Sequence, residues 1–208
     1  MEPIVVRLLI CFVLGSIPFA VISMAGSGID IRKVGSGNPG FNNVLRVSKP
    51  RALLALIGDM GKGYLAVWLV LKAWPLSAPA GWGPNVIGWG WVFGFAAVLG
   101  HCYSPLLRFN GGKGIATSGG VMLVLYPKWA LVALAYFAVA RIAMSKLKWR
   151  EAGALASLTT WLLFTILMLI FVTGVDAAYS AVMTLFLIWR HSKNLGNLMR
   201  GDAEPMRT

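Results

Sequence analysis

Apolar residues fill this chain in long runs separated by short polar stretches. Seven runs cover residues 4–24, 52–74, 86–103, 115–126, 128–144, 152–173 and 177–190. A helix rises about 1.5 Å per residue, so roughly 20 apolar residues cross a hydrocarbon core about 30 Å thick. The run at 115–126 is too short for a full span by itself. It crosses at a thinned place or begins inside the Gly-rich segment before it. Pro127 marks a tight turn into the fifth run, and a Pro/Gly turn at 75–84 separates the second from the third. The pattern predicts an all-α polytopic membrane protein of seven transmembrane helices. It forms a single membrane-embedded domain over 1–208, with no internal repeat and no low-complexity segment. The first run opens Met1-Glu2-Pro3 without a basic flank, and exceeds the roughly 7–15 apolar residues of a cleaved signal. It is read as a retained span.

Composition agrees. Of 208 residues, 58% are hydrophobic and 12% charged, against about 25% charged in soluble domains. Lipid, not water, solvates most of the chain. The net charge of +12 does not call for nucleic acid, because Lys and Arg crowd the cytoplasmic loops of membrane proteins. With the loop at 25–51 placed inside, the loops 104–114 and 145–151 and the tail from His191 fall on the same side. These segments and their helix ends hold fifteen basic residues, whereas the other side keeps only Arg7, Lys72 and Lys128. The N-terminus is then outside and the C-terminus cytoplasmic. Cys11 and Cys102 lie in or beside apolar runs and are read as packing residues. No Cys-x-x-Cys or Cys/His cluster suggests a metal, and no cofactor is expected.

The inside loops carry glycine beside basic and amide side chains. The first includes Gly35-Ser36-Gly37-Asn38-Pro39-Gly40, then Asn42, Asn43 and Arg46. Glycines let successive backbone N–H groups curl around an oxyanion as a nest. Ser36, Asn38, Asn42 and Asn43 add hydrogen bonds and Arg46 a charged fork. The alternative is a flexible connecting loop. Residues 35–40 match G-x-G-x-x-G, but that match alone is weak and no βαβ unit surrounds it, so it does not predict a dinucleotide site. The second loop runs from Gly100-His101 to Asn110-Gly111-Gly112-Lys113-Gly114. It offers amide groups and one mobile ammonium; Gly114 stands where a Walker A loop needs Ser or Thr. His101 is either a structural histidine or part of the site. Within the second apolar run, Asp59 and Lys62 share one helix face. An ionisable pair in a span either packs helices as an ion pair or serves a polar cavity. Where the last run meets the cytoplasm stand Arg190, a snorkelling position, then His191 and, one turn on, Asn194. Together these residues suit an anionic, phosphorylated ligand at the cytoplasmic surface of the bilayer.

Ordered along seven spans, these motifs resemble those of the bacterial acyl-phosphate:glycerol-3-phosphate acyltransferases, the PlsY family. The resemblance covers nearly the whole chain. It rests on Gly15-Ser16-Ile17-Pro18-Phe19, Gly35-Ser36-Gly37-Asn38, Asn43 and Arg46, Asp59 with Lys62-Gly63, and Gly100-His101. It continues through Phe109, Gly111-Gly112-Lys113-Gly114-Ile115-Ala116-Thr117, and Arg190-His191 with Asn194. The resemblance implies seven spans and a cytoplasmic-side site in a bacterial inner membrane. It also implies transfer of a fatty acyl group from acyl phosphate to glycerol 3-phosphate, giving lysophosphatidic acid and phosphate in phospholipid biosynthesis. Several positions depart from the family pattern. Asn42 stands for a usual Thr, Asn110 for a basic residue, Ala154 for a Ser, and Ser192 and Asn197 for arginines. Each change removes a charge or a hydroxyl from the expected anion site.

The expected assignments follow. Ser36, Arg46, Lys113 and His191 are catalytic. Gly35, Gly37, Asn38, Gly40, Asn43, His101, Gly111, Gly112 and Asn194 bind the substrate phosphates. Asp59 and Lys62 support them. Acyl phosphate is already activated, so no protein nucleophile is required. The His-x-x-x-x-Asp pair of other glycerolipid acyltransferases is missing, since Leu106 and Gly196 stand five residues after His101 and His191. Orientation of two phosphates, with neutralisation of the departing one, carries the chemistry. The attacking hydroxyl would lose its proton to a substrate phosphate oxygen or to His191. A transporter or flippase of a phosphorylated metabolite, or a catalytically silent homologue, would use the same anion site.

Overall fold

The computed structural model describes residues 2–72, 86–172 and 174–200. The described residues form α-helices joined by loops, in the order α1 (Glu2–Ser16), α2 (Phe19–Ile22), α3 (Phe41–Val47), α4 (Lys49–Lys72), α5 (Val86–Cys102), α6 (Ile115–Leu125), α7 (Pro127–Lys146), α8 (Ala152–Phe171), α9 (Gly174–Arg190) and α10 (Ser192–Arg200). Among the described residues, five segments are long and apolar enough to cross a membrane: Ile4–Ile22, Lys49–Lys72, Gly88–Leu107, Pro127–Lys146 and Ala152–Phe171. The other two expected spans form helices of 11 and 17 residues, α6 and α9. The turn at 75–84 lies outside the described residues.

The first expected span is not one helix. It stops at Ser16, because Pro18 lacks the N–H that would continue the ladder. The Ile17 carbonyl at the break accepts a hydrogen bond from Lys62 Nζ at 2.6 Å. A charge inside the membrane segment thus satisfies a backbone group that lipid could not. Two short helices also went unpredicted. One is α3, set between the loop and α4. The other is α10, which follows α9 after a one-residue break.

Reciprocal glycines bring the long helices together. A side chain at Gly15 of α1 would strike the Ala97 carbonyl of α5, and one at Gly100 of α5 would strike the Phe12 carbonyl of α1. The pair α4 and α6 repeats the device: Gly63 faces the Thr117 carbonyl, and Gly120 faces that of Met60. In lipid there is little hydrophobic force between helices, so close backbone approach through small residues does this work. Polar bonds supplement it. Trp161 Nε1 donates to Ser118 Oγ at 2.9 Å, and the Thr165 and Thr184 hydroxyls meet at 2.8 Å. A core of Trp91, Trp161, Phe164, Met168 and Met183 fills the space between α5, α8 and α9. Large apolar side chains such as Leu54 and Ile57 of α4, Val139 and Ile142 of α7 and Ile170 of α8 point outward. That inversion suits a lipid-facing surface.

Candidate active site

The first glycine loop is held by Asn43, which is 1% exposed. Its Nδ2 donates to the carbonyls of Ile31 (2.9 Å) and Val34 (3.1 Å), and its Oδ1 accepts from the Ser36 amide at 3.0 Å. Gly35 and Gly37 take positive φ, +57° and +70°, and a side chain at Gly35 would collide with Asn43 Oδ1. The Gly37 amide donates to Val34 O, the Gly40 amide to Asn38 O, and the Asn38 amide to Ser36 Oγ. These bonds engage the amides that a nest would aim at an oxyanion. The expected nest is therefore not the form of this loop. Its glycines shape a tight fold that presents the side chains of Ser36, Asn38 and, from α3, Arg46.

The second loop corrects the same expectation. The Gly111 amide donates to Cys102 O at 3.1 Å and the Gly112 amide to His101 O at 3.2 Å. Both glycines press on the end of α5: a side chain at Gly111 would meet the His101 carbonyl, and one at Gly112 the His101 ring. Arg190 Nη2 ties the loop to α9 through Gly112 O at 2.8 Å. What the loop delivers is the Lys113 ammonium, which donates to Asn194 Oδ1 on α10. The other end of that amide, Nδ2, donates to Glu151 Oε2 at 2.7 Å, and Asn197 Nδ2 donates to Glu151 Oε1 at 3.1 Å. A carboxylate accepts only. Glu151 therefore holds the Asn194 carbonyl end toward Lys113.

His191 is 3% exposed, and its Nδ1 lies 2.7 Å from Leu187 O. A carbonyl cannot donate, so Nδ1 carries the proton and Nε2 keeps its lone pair. Burial, then the neighbouring Lys113 charge, push this imidazole down to about 4. It is neutral at pH 7. Deeper in the bundle, Lys62 Nζ lies 2.7 Å and His101 Nδ1 3.5 Å from Asp59 Oδ1. All three side chains are under 8% exposed. The Asp59–Lys62 ion pair binds α4 to the break after α1 and, through His101, to α5.

These parts surround one cavity of about 350 Å3. Ser36, Asn38, Gly40, Asn43, Arg46, Asp59, His101, Lys113, His191 and Asn194 line it. Gly35, Gly37, Gly111, Gly112 and Lys62 do not line it. Its polar side grades into apolar side chains, among them Leu56, Met60, Met122, Leu134 and Phe137. The sequence reading missed Arg141, Lys148 and Glu151, which also line the cavity. Arg141 and Lys148 had been counted only toward topology. Glu151 had a signal, being the one acidic residue in the basic loop 145–151. Among the described residues, no group of three His, Cys, Asp or Glu side chains is placed to hold a metal ion.

A family profile described as glycerol-3-phosphate acyltransferase matches residues 5–201. The chain belongs to the glycerol-3-phosphate acyltransferase family. It is 39% identical to the glycerol-3-phosphate acyltransferase of Laribacter hongkongensis, over 95% of this chain and 93% of that one. It is 42% identical to that of Methylobacillus flagellatus, over 92% and 91%. Its fold is similar to the crystal structure of PlsY (YgiH), an integral membrane glycerol 3-phosphate acyltransferase. The glycerol 3-phosphate form gives a TM-score of 0.79 at 27% identity, covering 96% of this chain and 94% of that one. The lysophosphatidic acid form gives 0.78 at 26%, covering 96% and 93%.

The five positions read from the sequence as departures fall into two groups in the structure. Asn42 and Ala154 line the cavity, and Asn197 is buried beneath it on Glu151. Asn110 is exposed and bonds back to its own loop at Arg108 O, and Ser192 is exposed at the start of α10. The last two lie outside the cavity, so the identity of their side chains touches the site least.

Proposed function

We propose that this chain transfers a fatty acyl group from acyl phosphate to a hydroxyl of glycerol 3-phosphate, giving lysophosphatidic acid and phosphate. The observation that carries the reading is one cavity with a cationic head and an apolar flank. Arg46, Lys113, Arg141 and Lys148 supply positive charge there, while the carboxylates Asp59 and Glu151 are engaged by Lys62 and by two asparagines. Such a place takes phosphate groups and leaves an acyl tail among Leu134, Phe137 and Met60.

The hydroxyl oxygen attacks the acyl carbonyl carbon, the bond from that carbon to the phosphate oxygen breaks, and phosphate leaves with both electrons. Ser36, Arg46 and Lys113 neutralise the phosphates and stabilise the departing one. The hydroxyl proton has two possible acceptors. A phosphate monoester has a second pKa of about 6, whereas His191 lies near 4. The substrate phosphate is the stronger base and takes the proton, and His191 Nε2 accepts a hydrogen bond from the other hydroxyl of glycerol 3-phosphate, which orients the acceptor. Held together in this way, the two substrates react without a protein nucleophile.

The site belongs to a single domain spanning residues 1–208, in a bacterial inner membrane. All seven apolar segments cross, with the N-terminus outside and the C-terminus cytoplasmic. Fifteen basic residues against three support that orientation. The experiment is an assay of purified protein with glycerol 3-phosphate and either palmitoyl phosphate or palmitoyl coenzyme A, scoring lysophosphatidic acid. Product with palmitoyl phosphate alone is expected, because the cavity holds no module for a nucleotide. Equal rates with both donors overturn the donor claim. Consumption of neither donor overturns the enzymatic reading in favour of a silent homologue.

A further inference from the structure

Arg141 sits in the last turns of α7, a helix apolar enough to cross the membrane. Its neighbours Val139 and Ile142 point outward, 68% and 58% exposed, while Arg141 turns inward to line the cavity. A guanidinium on a spanning helix is costly unless it pairs or faces a polar space. Here Arg141 Nε donates to Asn42 Oδ1 at 3.2 Å, and Asn42 Nδ2 reaches Gly153 O at 3.4 Å. Asn42 therefore clamps Arg141 between α3 and the start of α8. Gly153 is required for the clamp, since a side chain there would meet the Asn42 amide at 2.7 Å.

Two features point to what Arg141 holds. Arg46 and Arg141 line the same cavity, so its wall carries two positive charges that a bound anion can bridge. The same face of α7 then continues apolar: Leu134 and Phe137, seven and four residues earlier, line the cavity with Arg141. A guanidinium above an apolar stripe fits a phosphate that bears a hydrocarbon chain. Glycerol 3-phosphate has nothing to place on Leu134 and Phe137.

We propose that the Asn42–Arg141 clamp is the subsite for the donor's phosphate, so that its acyl tail lies along Leu134 and Phe137 of α7. This rests on the acyl phosphate reading given above. It gives the departure at Asn42 a role: the amide replaces a hydroxyl because it must orient an arginine. Glycerol 3-phosphate is left to the Lys113, His191 and Asn194 end of the cavity.

The test separates the two substrates. Arg141→Gln should raise KM for palmitoyl phosphate at least tenfold and leave KM for glycerol 3-phosphate within twofold. Arg141→Lys keeps the charge but loses the Nε–H that bonds Asn42 Oδ1, and should raise the donor KM by less than Arg141→Gln. Asn42→Ala should shift the donor KM in the same direction, and by less. Direct binding of palmitoyl phosphate by titration calorimetry provides a readout without turnover, in which Arg141→Gln should weaken binding by a similar factor. An unchanged donor KM and donor affinity in Arg141→Gln overturns the proposal, as does an equal rise in both KM values. A wild-type protein that binds palmitoyl phosphate through Arg141 yet forms no product overturns the function and keeps the subsite.

Discussion

One carboxylate and one histidine show how individual residues set this site. Glu151 fixes which end of Asn194 faces Lys113, and so where the ammonium rests. In the proposed mechanism the anion-binding groups are Ser36, Arg46 and Lys113, all of which line the cavity. Replacing each by Ala should lower turnover at least tenfold, about 1.4 kcal/mol of transition-state stabilisation, with no loss of folded protein. Lys146, which does not line the cavity, should tolerate Ala; near-normal rates in all three site variants would remove them from the mechanism. His191 makes a different prediction. A group that supplies the general base contributes about 10²–10⁴-fold, and one that only orients a hydroxyl contributes less. His191→Gln should therefore cost about tenfold, and a loss beyond a hundredfold would make His191 the base. Its burial also couples to pH. The folded value near 4 lies below the ordinary value of about 6.5, so unfolding takes up a proton between these limits. The stability His191 contributes is full above about pH 6.5 and is lost as pH falls toward 4. Lys113 and Arg190 oppose its protonation, and Glu151 favours it. The thermal midpoint of the wild type should fall across that window more steeply than that of His191→Gln.

At the scale of elements, the helices are joined by backbone contact more than by side-chain size. Gly61 and Gly63 lie two residues apart on α4, yet only Gly63 touches the neighbouring helix. A side chain there meets the Thr117 carbonyl of α6, while Gly61 has nothing within 4 Å. Gly63→Ala should separate α4 from α6, which begins two residues after Lys113, and so lower both the yield of folded protein and the rate. Gly61→Ala should be neutral, or stabilising by up to about 1 kcal/mol, as for Gly to Ala in a helix interior. Equal thermal midpoints for the two variants would refute the close-packing account. The buried Asp59–Lys62 pair works alongside these contacts. It links α4 to the carbonyl left open at the Pro18 break, which explains two charges in a span without assigning them to the reaction.

The whole molecule gathers loops from four places in the chain around one cavity. Single cysteines at Ser48 and Lys148 should be shielded from an impermeant thiol reagent in intact cells, while one at Gly174 should react. Pro79, outside the described residues, should label with Gly174. The native Cys11 and Cys102 are buried and provide a quiet background. The reverse pattern would invert the orientation.

Much of this was legible in one dimension. Apolar run length places helices in lipid because hydrocarbon forces every backbone group into internal hydrogen bonds. The positions of Ser36, Arg46, Lys113, His191 and Asn194 followed from polar residues clustered at run ends, and the tertiary structure brings them to one cavity. What the linear chain could not decide is how glycine is used. The same Gly-rich pattern serves an oxyanion nest or a tight loop whose amides bond inward, and only the partners supplied by Asn43, Cys102 and His101 distinguish them. Nor could it separate Arg141 from the other basic residues near helix ends. Whether a guanidinium snorkels to water or turns into a cavity depends on what the neighbouring helices place beside it. Here they place Asn42 and Gly153, 99 residues before it and 12 after it.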